Sequence, residues 1–145
     1  MAGAARVTAQ ISDESGQRFA ETSAHVHESR ARMEVRRSER AYLACDCLLD
    51  IAAAFFNVPA RELRRPGRCS DDVSRVRQIA MYCAHTVLGM SMADVGKGFG
   101  RDRTTVIHAC HIIEDLRDDR EFEAILLRIE QLVAAAFRGR DGFPG

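Results

Sequence analysis

Residues Gly100 to Ala109 read GRDRTTVIHA, and this stretch decides the fold. A glycine-containing turn is followed by charged and hydroxyl side chains, and then by apolar residues at helical spacing. Small polar residues before an apolar periodic run are typical of a helix N-terminus. A recognition helix of a DNA-binding protein begins in this way, with its first turn free to enter a groove.

The residues on either side extend this pattern into two helices joined by a tight turn. Ser91 with Asp94 three residues later predicts the start of a short helix through about Lys97, and Gly98 to Gly100 are expected to form the turn. The next helix is predicted over about residues 102–116. Its buried side should carry Val106, Ala109, Cys110 and Ile113, and its open side Arg103, Thr104, Ile107, His108 and His111. A short helix, a tight turn and a longer helix are typical of a helix-turn-helix.

Apolar spacing predicts helices in the rest of the chain as well, and no segment has the period of a strand. The first should run from about Ser38 to near Asn57, with an apolar stripe of Leu43, Cys47, Ile51, Ala54 and Phe55. A short helix from Pro59 to Leu63 and a basic loop over residues 64–67 should follow. The third helix should bury Val76, Ile79, Ala80, Cys83 and Val87, and present Arg75, Arg77 and Gln78 outward from its first turn.

The last helix, over residues 120–137, has the strongest amphipathic pattern. Its apolar positions are Phe122, Ile125, Leu126, Ile129, Leu132, Val133 and Phe137. They suit intramolecular packing, or the seam of a homodimer. The predicted fold is therefore an all-α helical bundle over residues 38–138. Residues 1–37, which keep no sustained apolar period, are expected to form a disordered tail, and residues 139–145 a frayed end.

Composition excludes some classes of function and leaves others open. Lysine plus arginine and aspartate plus glutamate both total 21, so any affinity for nucleic acid must come from local charge, which is basic between Arg61 and His108. No apolar run is long enough to cross a membrane, which predicts a cytoplasmic protein, associated with the nucleoid if it binds DNA. Five cysteines lie mostly in apolar helical patterns and are expected to be reduced.

From about Asp50 to about Val133 the chain resembles the C-terminal DNA-binding domain of the bacterial replication initiators of the DnaA family. That family has an Arg-Pro-Arg-Gln stretch, a Ser-Leu-Pro-Glu-Ile-Gly helix and a Phe-Gly-Gly-Arg-Asp-His-Thr-Thr-Val-Leu-His-Ala segment. The counterparts here are residues 75–78, which read RVRQ, residues 91–96, which read SMADVG, and residues 99–109, which read FGRDRTTVIHA. The resemblance implies a TrpR-like helical fold that binds double-stranded DNA.

The resemblance also implies which side chains meet DNA. The residues expected to contact bases are Arg75, in the minor groove, and Asp102, Arg103 and Thr104, in the major groove. Arginine suits guanine, a carboxylate suits the cytosine amino group, and a threonine methyl suits thymine. The residues expected to contact phosphates are Arg77, Gln78, Lys97, Arg101, Thr105 and His108. Helix capping by Asp102 and by the two threonines is the purely structural alternative.

The chain departs from the family pattern at positions that bear on function. A single glycine, Gly100, stands where the family has two, Arg103 replaces a histidine, and Val76 replaces a proline. The shorter turn predicts a rotated or tilted recognition helix. No GxxxxGK[ST] loop is present in the 145 residues, so no nucleotide site is expected.

Two further classes of site are weighed and set aside. Cys45, Cys47, His108, Cys110 and His111 are residue types that bind zinc, but Cys45 and Cys47 are two apart on a helix and point in different directions. A Cys-His nucleophile would need a lowered thiol pKa and an orienting third group, and neither is legible from the sequence. No metal, cofactor or catalytic group is therefore expected. The leading hypothesis is a sequence-specific DNA-binding regulator of transcription or replication. The alternative is a protein-interaction module on the same fold that has lost sequence reading.

Overall fold

A computed structural model describes the backbone of residues 3–139 and the side chains of residues 16–139. All regular secondary structure in this part of the chain is helical, without strands. The chain divides into two units, Met1–Arg37 and Ser38–Gly145. The helices are α1 (Gly3–Phe56), α2 (Ala60–Arg64), α3 (Asp71–Thr86), α4 (Met92–Phe99), α5 (Arg103–Leu116) and α6 (Arg120–Phe137). No helix among these residues is long and apolar enough to cross a membrane.

Helix α1 begins much earlier than the sequence pattern predicts. The sequence indicates no regular structure before about Ser38, whereas the structure is helical from Gly3. An apolar period appears only where one face of a helix is buried. The side chains of residues 16–37 are all exposed, so this segment lacks the period although it is helical. Helicity needs only compatible backbone and local side-chain pairs, such as the ion pair between Glu28 and Arg32. The predicted fraying of residues 139–145 lies outside the described residues, except for Gly139.

The C-terminal part of α1 packs through a different face from the one its large residues suggest. Leu43, the first residue of the predicted stripe, is 72% exposed, and Ala54 and Phe55 are also exposed. The buried face instead consists of Ala41, Ala44, Cys45, Leu48, Leu49, Ala52 and Ala53. Small side chains on a helix allow a second backbone to approach closely. The predicted stripe was therefore wrong by part of a turn.

Close approach is what the contact between α1 and α4 requires. A Cβ atom added to Gly98 would overlap the Sγ atom of Cys45 and would lie 3.1 Å from the carbonyl oxygen of Ala41. The Cys45 thiol is consequently enclosed, and burial raises its pKa to about 12. Because any larger residue at position 98 would separate the helices, this contact fixes where α4 lies on α1.

Helix α3 is the centre of the bundle and packs against α2, α4, α5 and α6. Its predicted core positions Val76, Ile79, Ala80 and Cys83 are buried, and Val87 is half-buried. In α6 the inner side carries Leu126, Ile129, Val133 and Phe137, whereas Ile125 and Leu132 stay partly exposed. The apolar face of α6 is thus wider than the surface it buries.

A cluster of polar side chains links the ends of α5 and α6 to α3. The Tyr82 hydroxyl donates to Glu114 at 2.5 Å and accepts from Arg117 at 2.9 Å. Arg117 also donates to Glu130 at 3.0 Å and to Glu123 at 2.8 Å. Desolvation raises the pKa of Tyr82 to about 12. Hydrogen bonds between charged partners hold the helix that follows the tight turn against the core.

Candidate nucleic-acid interface

The turn between α4 and α5 is closed by two backbone hydrogen bonds around one glycine. Gly100 has a φ of 64°. Its amide donates to Lys97 O at 3.3 Å, and the amide of Arg101 donates to Gly96 O at 2.8 Å. This pairing is a Schellman motif, which requires a left-handed residue at the position of Gly100. Gly100, the one glycine directly before Arg101, therefore occupies the position where a glycine is needed. Helix α4 extends to Phe99, two residues beyond its predicted end.

Gly96, on α4, allows the turn to pack closely against that helix. A Cβ atom added there would lie 2.7 Å from the carbonyl oxygen of Arg101, which is backbone and cannot rotate away. The turn thus rests directly on the bare backbone of α4. The direction in which α5 leaves the turn follows from this contact.

Asp102 begins α5 as its N-cap. Its Oδ1 atom accepts a hydrogen bond from the Thr105 amide at 2.8 Å. This hydrogen bond lowers the pKa of the carboxyl, which is therefore ionised at neutral pH and acts only as an acceptor. The capping role that the sequence analysis raised as an alternative is present in the structure. A carboxylate has a second oxygen with further acceptor capacity, so capping does not preclude a contact with a base.

The other α5 residues that are predicted to contact DNA lie on the outer side of the helix. Arg103, Thr104, Thr105 and His108 are exposed, while all four predicted core residues, Val106, Ala109, Cys110 and Ile113, are buried. The C-terminal part of the same outer surface carries Glu114 and Asp115. Carboxylates repel phosphate, so the charge distribution favours the first two turns of α5 as the part that approaches DNA.

Arg75 and Gln78 lie together on α3, the helix that packs against α5. Arg75 Nη1 donates to Gln78 Oε1 at 2.9 Å, and both side chains are half-exposed. Lys97 is exposed near the end of α4, and Arg101 is half-exposed in the turn. The predicted site residues other than Arg77 thus fall on four neighbouring elements, which are the first half of α3, the end of α4, the turn and the first two turns of α5.

Arg77 differs from its predicted placement. Only 7% of it is exposed, although the sequence analysis placed it outward as a phosphate contact. Its guanidinium donates to the carbonyl oxygens of Leu63 at 2.9 Å, Glu62 at 3.1 Å and Arg65 at 3.3 Å. A buried charge needs such partners, and backbone carbonyls at the end of α2 supply them. Arg77 therefore holds the loop between α2 and α3 in place and does not face solvent.

The helical spacing of the sequence indicates that Arg77 is buried. Arg77 is in helical register with Val73, Ala80 and Ala84, all of them buried. A residue at that spacing points into the bundle whatever its polarity. The loop that Arg77 holds carries Arg65 and Arg68, two exposed arginines that the sequence analysis left out of the site.

The cysteines and histidines do not assemble into a metal centre within residues 16–139, where no group of three or more His, Cys, Asp or Glu side chains is placed to hold an ion. Cys45, Cys83 and Cys110 are buried, and Cys47 and Cys69 are half-buried. Burial raises the pKa of Cys83 to about 12, as it does for Cys45. Both thiols are held in the protonated form, which is a poor ligand and a poor nucleophile.

Residues 45–113 match the family model described as the bacterial DnaA protein helix-turn-helix. The chain is 36% identical over 95 residues to the chromosomal replication initiator protein DnaA of Thermomicrobium roseum, covering 64% of this chain and 20% of that protein. It is 33% identical over 103 residues to the DnaA protein of Rickettsia canadensis, covering 68% of this chain and 22% of that protein. The chain thus spans about a fifth of the length of the curated relatives it matches.

Solved structures agree in fold. A crystal structure of a DNA replication initiation factor superposes with a TM-score of 0.62 at 26% identity, covering 70% of this chain and 32% of that one. The replication initiator DnaA bound to AMPPCP and single-stranded DNA superposes with a TM-score of 0.60 at 24% identity, covering 69% of this chain and 30% of that one. The predicted all-α helix-turn-helix fold and the predicted resemblance are both confirmed.

Proposed function

We propose that this chain, whose residues 45–113 form a DnaA-type helix-turn-helix, is a sequence-specific regulator that binds double-stranded DNA. The observation that carries the proposal is the exposed first turn of α5, which is held in place by the Gly100 turn and the Asp102 cap. A recognition helix must be rigid and open at its N-terminus, because its first residues meet base edges in the major groove.

Within this proposal, Arg103, Asp102 and Thr104 read bases in the major groove. Arg103 can donate two hydrogen bonds to one guanine, which discriminates by about 1–3 kcal/mol against a wrong base. The second oxygen of Asp102 accepts from a cytosine amino group or orients a neighbouring arginine, and the Thr104 methyl contacts thymine. Arg75, on the adjacent helix, enters the minor groove.

A second group of residues fixes the register of the protein on DNA through phosphate contacts. These contacts orient the protein without reading sequence. Arg77 is excluded from the group because its guanidinium is buried and donates to three carbonyl oxygens. The group comprises Gln78, Lys97, Arg101, Thr105 and His108.

The biological action that follows is occupancy of DNA sites in the cytoplasm, in control of replication or of transcription. The matched part of the relatives is their helix-turn-helix segment, so we assign DNA binding to these residues and no catalytic step. Pairing of two copies through α6, where Ile125 and Leu132 are partly exposed, would place two recognition helices on an inverted repeat. A monomer would select one short asymmetric site.

Selection of bound duplexes from a random double-stranded pool, at a stated salt concentration, tests the proposal. We expect an enriched motif whose preference at one base pair is relaxed by Arg103→Ala. Failure to enrich any motif, with only weak binding that disappears as salt is raised, would contradict sequence-specific reading and favour the protein-interaction module. The arrangement of the motif, single or inverted, reports whether α6 pairs two copies.

A further inference from the structure

A groove lies between α1, α2 and the turn that precedes α5, within the Ser38–Gly145 unit. Its cavity volume is about 400 Å³. The apolar side chains that line it are Tyr42, Leu43, Leu49, Leu63 and Phe99. Cavities of about 300–1,000 Å³ with apolar walls and a few polar groups are typical of small-molecule sites. We call this cavity the turn groove, because residues 98–101 form one of its walls.

The apolar lining of the turn groove is buried at its floor and exposed at its rim. Leu49 and Leu63 are buried, whereas Tyr42 is 55% exposed and Leu43 72%. Apolar surface in contact with water costs free energy in proportion to its area. A molecule that covers Tyr42 and Leu43 therefore gains affinity from both side chains.

Positive charge exceeds negative charge by one in the lining of the turn groove, where the charged side chains are Asp46, Arg64 and Arg101. Arg64 donates to Asp46 at 2.7 Å and to Asp50, on the next turn of α1, at 2.9 Å. Within residues 16–139, no hydrogen bond or ion pair engages the guanidinium of Arg101, which is half-exposed. Arg101 is thus the donor that a negatively charged ligand meets in the groove.

The size and chemistry of the groove select among occupants. A phosphate backbone would satisfy Arg101 but would leave Tyr42 and Leu43 in water. A protein interface covers about 800 Å² on each partner, whereas Tyr42 and Leu43 are the two exposed large apolar side chains among the described residues that line the groove. An aromatic molecule with one acidic group meets both requirements, because its ring packs on Tyr42 and Phe99 and its acid accepts from Arg101.

We propose that the turn groove binds a small aromatic molecule that carries one acidic group, a carboxylate or a sulfonate. The binding site itself does not depend on DNA binding. One consequence rests on the proposed function, because Arg101 is assigned there to a phosphate contact. A ligand that holds the Arg101 guanidinium removes that contact and weakens binding to all DNA sequences about equally. The concentration of the ligand would then set how much DNA the protein occupies.

The test uses the full chain and two matched fluorescent probes. Anilinonaphthalene sulfonate is aromatic and carries one negative charge, and phenylnaphthylamine is the same molecule without the sulfonate. Fluorescence titrations are expected to show saturable binding of one sulfonate probe per chain. The uncharged probe should bind at least about fivefold more weakly, because it makes no charge-assisted hydrogen bond to Arg101.

Variants then locate the site. Arg101→Gln should weaken the sulfonate probe by about fivefold or more and leave the uncharged probe unchanged, a difference that unfolding cannot produce. Leu43→Ala should weaken both probes by about threefold, because it removes part of the apolar rim. The matched controls are Arg65→Gln and Leu127→Ala, which change an exposed arginine and an exposed leucine outside the groove lining and should leave both probes unchanged. Circular dichroism reports whether each variant stays helical.

A DNA measurement tests the consequence for the proposed function. Saturating sulfonate probe should raise the dissociation constant of the wild type for a fixed duplex by about threefold or more, and should leave that of Arg101→Gln unchanged. An unchanged dissociation constant for the wild type would contradict the competition for Arg101. If the wild type binds no duplex at all, the proposed function fails, and the fluorescence titrations still decide whether the groove is a site.

Several outcomes would overturn the proposed ligand site. Equal affinity for the two probes, or an equal loss with Arg65→Gln, would mean that Arg101 does not bind the acidic group. Displacement of the sulfonate probe by phosphatidylglycerol vesicles would assign the surface to a membrane. A concentration-dependent mass that falls with Leu43→Ala would make the occupant a second copy, and the absence of saturable probe binding would leave a protein segment as the occupant.

Discussion

Replacing Arg77 with methionine should destabilise the Ser38–Gly139 bundle without acting at a DNA surface. Methionine keeps most of the side-chain volume but removes every donor. The carbonyl oxygens of Leu63, Glu62 and Arg65, which accept at 2.9, 3.1 and 3.3 Å, then lose their partner. Because Arg77 is buried, its guanidinium does not reach a phosphate group in solvent.

The magnitude follows from the number and surroundings of these hydrogen bonds. A hydrogen bond from a charged donor contributes about 1.5–3 kcal/mol net, and an orphaned buried acceptor costs a similar amount. Because Arg65 is exposed, water can replace Arg77 as the donor to its carbonyl oxygen in the variant. We therefore expect the free energy of unfolding to fall by about 3 kcal/mol, which is less than the sum over all three hydrogen bonds. With a urea dependence of about 1.5 kcal/mol per molar, the midpoint should fall by about 2 M.

Urea unfolding followed by circular dichroism and by tyrosine fluorescence measures this change. The chain has no tryptophan and two tyrosines, of which Tyr82 is buried, so its emission reports on the core. The matched control is Arg75→Met, two residues earlier on α3 and half-exposed, which should shift the midpoint by less than about 0.5 M. An unchanged midpoint for Arg77→Met, together with a loss of DNA affinity, would refute the structural role and restore the phosphate contact.

Three further predictions concern the elements that hold the turn and α5. Gly96→Ala should destabilise the bundle and weaken DNA binding together, because the new Cβ would lie 2.7 Å from Arg101 O; a thermal midpoint equal to the wild type would contradict this. The pKa of Asp102 is lowered by its hydrogen bond from the Thr105 amide, so its contribution to stability is present above the unfolded value and is lost as pH falls through the lower folded value. Asp102→Asn, which keeps a capping oxygen, should therefore show a smaller loss of stability between pH 5 and pH 3 than the wild type, and an identical pH profile would be evidence against this linkage. Arg117→Ala removes the donor shared by three side chains and should cost about 2–4 kcal/mol in urea unfolding, discounted for its partial exposure; a loss below about 0.5 kcal/mol would mean the cluster is not stabilising.

Sequence periodicity was most informative where large apolar residues and caps coincide. In α5 the four predicted core residues are all buried, and Ser91, which the sequence predicts as the start of a helix, accepts a hydrogen bond from the Asp94 amide. Local hydrogen bonding and the 3.6-residue period are encoded within a few residues of each other. Such features can be read without knowing the rest of the fold.

Tertiary contacts explain the positions where the sequence analysis failed. Leu43 is large but exposed, because close contact between α1 and α4 at Gly98 favours the alanine and cysteine face. Arg77 is charged but buried, because distant carbonyl groups satisfy it. Both outcomes depend on which surface lies opposite, and local spacing carries no information about that. The DNA contacts themselves remain predictions.

The central claim is that the first turn of α5 reads bases in the major groove, while the phosphate-contacting residues around it only position the protein. Affinities of the wild type, Arg103→Ala and Arg101→Gln for every single-base variant of the selected site measure it most directly. Arg103→Ala should flatten discrimination at one base pair by about 1–3 kcal/mol, and Arg101→Gln should weaken all sites about equally with a salt slope lower by about one. If both variants weaken all sites alike, the division of roles on this surface is wrong.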